Sequence, residues 1–130
     1  MTKYEKGASF ERELVHRFWN SGWAAVRAAG SGTIAVLVPD IIAIKNNDVI
    51  AVECKTTTQD RLSLKKDITN MLEFSRITGA RAYISIKFLR EKPRFYKVET
   101  FVLKNKYTIS MQDSYLGFES LIGEQVLLNL

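Results

Sequence analysis

Residues 38–55 read VPDIIAIKNNDVIAVECK, two apolar runs of strand length joined by Asn46-Asn47. Such a pattern demands a β-hairpin, because short β-branched runs around an Asn-Asn pair suit neither one helix nor one strand. Asn tolerates the left-handed region, so a two-residue turn with positive φ at both Asn46 and Asn47 is expected. Lys45 then faces Asp48, Ile44 faces Val49 and Asp40 faces Glu53. Directly opposed residues place their Cβ atoms about 4.5–5.5 Å apart, and the two-residue period sets Lys55 on the face of Glu53 with Cys54 on the other. A three-residue turn over Asn46–Asp48 would pair Asp40 with Cys54 and loosen the cluster.

Two carboxylates that close raise one another's proton affinity unless a cation relieves them. Mg²⁺ suits this arrangement, since it takes oxygen ligands and is commonly held by one or two carboxylates with water and phosphate completing its shell. Lys55 would then offset negative charge building on a phosphate. Taken singly, Asp40 after Pro39 reads equally as a turn residue, and Glu53 with Lys55 as a surface pair of small worth. The combination of Pro-Asp, strand, turn, strand and Glu-x-Lys points to a site. Cys54 reads as a small buried hydrophobe, and with His16 the sole histidine it cannot build a structural zinc centre.

Ahead of the hairpin, Thr2 with Glu5 three residues on forms a capping-box pattern, and Asn20-Ser21-Gly22 is a stop, which predicts a helix over 3–21. At about 100° per residue, Phe10, Leu14, Val15, Phe18 and Trp19 bracket Glu11, so Glu11 lies within the apolar face while Arg12, Glu13, His16 and Arg17 lie opposite. A carboxylate facing the core needs a partner: a metal, or an ion pair with Arg27 or Lys55. Gly7 and Ala8 share this face and admit close approach of another element.

The rest predicts a strand over 23–28, a loop over 29–37, strands over 40–45 and 48–55, and a helix over 65–78. That helix has Ile68, Met71, Leu72 and Ser75 on one face and Gly79 as C-cap. Strands over 82–88 and 94–98 follow, with a turn at Arg90–Pro93, and then a helix over 117–129 carrying Phe118, Leu121, Ile122 and Val126. The expected fold is α/β, a mixed central sheet of about five strands flanked by helices. With 130 residues, 46% of them hydrophobic and 25% charged, the chain suits one domain. No apolar run is long enough to span a membrane and the first residues lack a signal peptide's apolar core, so a cytoplasmic location is expected.

Net charge is +5 with a pI near 9.4, and residues 86–106 hold an excess of the same size: Lys87, Arg90, Lys92, Arg94, Lys97, Lys104 and Lys106 against Glu91 and Glu99. Residues 107–130 carry no Lys or Arg. A polyanion would meet the basic stretch, with the tail facing away. An RNA-binding reading lacks the RRM aromatic signature and a KH-type GXXG loop.

Val38-Pro39-Asp40 followed by Glu53-Cys54-Lys55 is similar to the PD-(D/E)xK pattern of restriction-endonuclease-like nucleases. The flanking segments Lys6-Gly7-Ala8 with Glu11-Arg12-Glu13-Leu14, Ala25 to Ser31, Leu72 to Arg76, Ile86-Lys87-Phe88 and Arg94-Phe95 together resemble the archaeal Holliday-junction resolvases, in order from about residue 4 to 98. The resemblance implies a single nuclease domain over 1–130 with its core in 4–98. It further implies a homodimeric, Mg²⁺-dependent endonuclease, with Mn²⁺ as a substitute, that nicks opposed strands of four-way junction DNA and works with the nucleoid. On matching positions, Glu11, Asp40 and Glu53 would be catalytic metal-site acids and Lys55 the catalytic lysine. Arg12, Arg27, Ser31 and Lys87 would contact DNA or support the site. The segment Gly32–Leu37 departs from this pattern in being apolar where basic or polar residues are expected near DNA. Rival readings are a nuclease of the same fold acting in restriction, repair or flap cutting, and an inert DNA-binding module. The leucine-rich end from Phe118 is a candidate either for the dimer interface or for a wall of the monomer's own core.

Overall fold

The computed structural model describes residues 2–29 and 36–128. In chain order the elements are α1 (Lys3–Asn20), β1 (Ala24–Arg27), β2 (Ile41–Lys45), β3 (Asp48–Thr57), β4 (Arg61–Ser63), α2 (Lys65–Thr78), β5 (Arg81–Phe88), β6 (Arg94–Lys97), α3 (Val98–Leu103), β7 (Thr108–Ser110) and α4 (Phe118–Leu128). Five strands form one mixed sheet in the order β1-β2-β3-β5-β6, and β4 pairs with β7 in a separate ribbon. Only β3 and β5 run parallel, linked through β4 and α2; the other neighbours are antiparallel.

The hairpin has the two-residue register, with Lys45 opposite Asp48, Ile44 opposite Val49 and Ile41 opposite Val52. Of the turn pair, Asn46 takes the left-handed region at φ 47°, and positive φ is confined to it. Asp40 stands just before the first residue of β2, outside the ladder.

α1 begins where Thr2 Oγ1 accepts the Glu5 backbone N–H at 3.1 Å, and it ends where Gly22, at φ 88°, reverses the chain. Phe10, Leu14 and Phe18 bury their side chains against Ala25, Ile41, Ala43, Ile50, Val52 and Tyr83 on one face of the sheet. Each such burial contributes roughly 1.5–3 kcal/mol. Trp19, expected on this apolar face, is instead 56% exposed, its indole N–H donating to Ala25 O at 2.9 Å. α4 closes the same core: Phe118 and Leu121 are buried, and Phe118 meets Phe18 edge-on with ring centroids 5.0 Å apart. The first half of α4 is therefore a wall of the monomer; Val126 lies outside the described side chains.

The opposite face, with Ala51, Ala82, Ile84 and Ile86, is covered by Ile68 and Met71 of α2 and Val98 and Phe101 of α3. α2 has the expected bounds and the expected Gly79 cap at φ 74°. Leu72 departs from expectation, turning outward and 37% exposed, while Ser75 donates from Oγ to Ala80 O at 2.6 Å. The sequence also did not announce α3, β4 or β7. Each is three to six residues long, too short to display a period.

Candidate active site

Where β3 runs past the end of β2, its backbone loses a neighbour, and Asp40 fills the gap. The Cys54 backbone N–H donates to Asp40 Oδ2 at 2.8 Å, so an acid just outside the ladder satisfies a strand donor that β2 no longer reaches. This fixes Asp40, 8% exposed, beside the Glu53-Cys54-Lys55 segment. The hairpin brings Asp40 and Glu53 together by this side-chain contact instead of by direct strand pairing.

Glu53 is crowded there. Burial, and then the charge of Asp40 close by, push its carboxyl up to about 8, with Lys55 opposing. Lys55 Nζ lies 3.9 Å from Glu53 Oε2 and 3.2 Å from Oδ1 of Asp67 in the first turn of α2. Cys54 faces the α1 side, partly buried against that core; burial first, and the charges of Asp40, Glu11 and Glu53 after it, hold its thiol well above the ordinary range. That suits a packing role and not a nucleophile.

Glu11 approaches from α1, on the other side of the sheet. Arg27 Nε donates to its Oε1 at 2.8 Å, both side chains mostly buried. Burial and the charge of Asp40 still raise the Glu11 carboxyl, against the opposing effects of Arg27 and Arg12. Asp40 is thus the common neighbour whose charge reaches both Glu11 and Glu53. Among the described residues no three carboxylate, imidazole or thiol groups stand together as one ligand set: Glu11 is turned to Arg27, Asp40 to the Cys54 N–H and Glu53 toward Lys55. An oxygen-liganded divalent cation fits the Asp40–Glu53 pair, because two crowded carboxylates with one holding its proton to about pH 8 are what such a cation relieves.

A cleft of about 470 Å³ is lined by Gly7, Glu11, Lys55 and Asp67 among others. A Cβ added at Gly7 would meet nothing within 4 Å. The close approach expected at Gly7 is absent; the missing side chain leaves room in the cleft. A larger groove, about 680 Å³, shares Phe10, Thr56 and Leu62 with the cleft and adds Lys6, Lys87 and Arg90. The smaller cleft is lined by the acids Glu11 and Asp67, by Lys55, and by Cys54, whose backbone N–H holds Asp40. Lys87 Nζ donates to Glu91 O at 3.3 Å, Arg12 is exposed, and Ser31 lies outside the described residues. Sequence reasoning passed over Asp67; it counted Arg90 in the basic stretch and quoted Lys6 in a segment of the resemblance without bringing the two to one groove. For Asp67 a signal existed, an acid one helical turn ahead of buried Met71, but nothing local linked it to Lys55.

Known proteins resemble this chain in sequence and fold. The sequence model of one family, described as archaeal Holliday junction resolvase (Hjc), matches residues 2–128. The chain is 39% identical over 95 residues to the crossover junction endodeoxyribonuclease Hjc of Archaeoglobus fulgidus, covering 72% of this chain and 70% of that protein. It is 40% identical over 87 residues to the Hjc of Methanocaldococcus jannaschii, covering 66% and 62%. To the Hje of Saccharolobus islandicus it is 31% identical over 130 residues, covering 93% and 95%. The solved structure of A. fulgidus Hjc, a Holliday junction resolvase, superposes with a TM-score of 0.77 at 31% identity, over 89% of this chain and 98% of that one. The mixed sheet flanked by helices is accordingly a restriction-endonuclease-like fold.

Proposed function

Because the chain belongs to the archaeal Holliday junction resolvase family, we propose that it is a divalent-metal-dependent endonuclease that resolves four-way DNA junctions by paired nicks. The observation that carries the chemistry is the crowded Asp40–Glu53 pair beside Lys55, a lysine that lines a cleft sharing Phe10, Thr56 and Leu62 with a groove bearing Lys6, Lys87 and Arg90. Mg²⁺, or Mn²⁺ in its place, held by Asp40 and Glu53 with Glu11 beside them, would neutralise phosphate charge and acidify water there.

The chain's own residues do the rest. Asp40 is pinned by the Cys54 N–H and held close to Glu53. Lys55 donates to the phosphate oxygen on which charge builds during in-line attack by water, an interaction strongest in the transition state. Arg27 holds Glu11 in place. Arg12, Lys6, Lys87 and Arg90 take neighbouring phosphates, so affinity falls steeply with salt, and the shape of the junction supplies selectivity. Ser31, carried over from the sequence resemblance, is assigned to contact with the cleaved strand.

Paired nicks need two sites related by a twofold axis, hence a homodimer. In support, β1 and β2 turn Val26 and Ile44, 64% and 47% exposed, outward on the face opposite α1. Work on DNA places the protein with the nucleoid in the cytoplasm; no helix among the described residues is long and apolar enough to cross a membrane.

The test is a competition among four-way junction, duplex, flap and single-stranded DNA of equal length in Mg²⁺. Preferred nicking of the junction, in symmetric pairs, is expected. Equal or better cutting of duplex or flap would replace the substrate, and cutting undiminished in EDTA would remove the metal.

A further inference from the structure

Lys55 stands between two carboxylates of unequal reach: its Nζ is 3.2 Å from Asp67 Oδ1 but 3.9 Å from Glu53 Oε2, the limit of an ion pair. The nearer partner comes from a different element. Asp67 sits in the first turn of α2, which Ile68 and Met71 anchor on the sheet, and the positive end of the helix dipole favours a carboxylate there. The helix N-cap, Leu64, makes no side-chain hydrogen bond, so the first turn depends on Asp67 for a negative group. Asp67 and Lys55 line the same cleft as Glu11.

A lysine side chain is flexible and rich in rotamers, so an ammonium that must meet one phosphate oxygen needs an anchor. Glu53 serves poorly, being farther away and committed with Asp40 to the cation. The geometry points to Asp67 as the positioning residue of this site: from the opening turn of α2 it holds the Lys55 ammonium in the cleft, leaving Glu53 to the cation and the remaining lysine N–H groups to the phosphate. This rests on Lys55 being the catalytic lysine. Asp67 touches neither substrate nor reacting atoms; it acts through Lys55.

The experiment compares Asp67→Asn, Asp67→Glu and Lys55→Ala by three readouts: single-turnover nicking, junction Kd in Ca²⁺, and the Mg²⁺ concentration giving half the maximal rate. Asp67→Asn should nick roughly 10–100-fold more slowly, as expected for a misplaced catalytic group, with junction Kd and Mg²⁺ half-saturation within about twofold of the parent. Asp67→Glu, which keeps the charge, should recover most of that loss. Parental nicking by Asp67→Asn overturns the assignment. So does a loss of junction affinity that matches the loss of rate, or a Mg²⁺ requirement raised by about tenfold or more, which would make Asp67 a metal ligand. If Lys55→Ala nicks at the parental rate, the reading of the site itself fails; if Lys55→Ala is slow while Asp67→Asn is fast, only the role of Asp67 fails.

Discussion

β3 carries charge at both ends, and the two ends are built differently. At its start, Asp48 meets Arg81 of the parallel neighbour β5 through two contacts, 2.8 and 3.2 Å, and Arg81 also donates to Tyr83 Oη and to Leu121 O of α4. One acid is matched by one fork-shaped cation whose remaining donors tie sheet to helix. At the far end two carboxylates, Glu53 and Asp67, flank the ammonium of Lys55, and a third, Asp40, crowds Glu53. Among the described residues, the first end pairs its acid with a cation and ties sheet to helix. The second carries surplus negative charge, which a proton on Glu53 relieves below about pH 8 and which a cation from outside would relieve in its place.

The largest effect expected from breaking this contrast lies at the far end. Asp40→Asn and Lys55→Ala should each lower junction nicking by on the order of 10²–10⁴-fold while junction binding in a gel-shift assay is retained. A variant that nicks normally would take its residue out of the site. At the other end, Arg81→Ala should destabilise the fold by about 3 kcal/mol, since it strands Asp48 and frees the Leu121 carbonyl. Urea unfolding checks this, and the folded variant should nick at the parental rate.

Glu53→Gln separates the two ends through pH. Between the ordinary value of 4.5 and about 8, folded Glu53 keeps a proton that the unfolded chain has released. The stability this group contributes is fully present below 4.5 and is lost as pH rises through about 8. In metal-free buffer the parent should lose stability over that window, by at most ~1.4 kcal/mol per pH unit. Glu53→Gln should flatten the slope, and Mg²⁺ should restore stability to the parent at high pH. An unchanged slope in the variant would assign the proton elsewhere. The smallest effect is at Gly7: Gly7→Ala should stabilise α1 by about 0.5–1 kcal/mol, yet slow nicking by filling space in the cleft. Faster or equal nicking would show that the substrate does not use that space.

Within the site, what could be read in advance follows the range of the forces involved. The hairpin register, the bounds of α2 and the Gly79 cap depend on residues a few positions apart, and all were legible. The Asp40–Glu53 encounter was legible too, although its means was not: Asp40 accepts the Cys54 N–H beyond the end of β2, a detail no pattern of alternation displays. Glu11 could be seen to need a partner. That the partner is Arg27, and not Lys55, depends on β1 lying at the edge of the sheet on the α1 side.

Asp67 marks the limit most clearly. It and Lys55 are twelve residues apart, separated by β4 and the start of α2, and neither residue's immediate neighbours signal the contact. Equally, Phe118 and Leu121 read alike as an interface or a core wall until the packing against Phe18 and Phe95 decided for the core. By itself the sequence determined the hairpin, its register and the acids and lysine at its end, because turn chemistry and the two-residue period act locally. The tertiary structure alone decided which cations answer which acids and which faces stay open, because those depend on how separate elements share one end of a sheet.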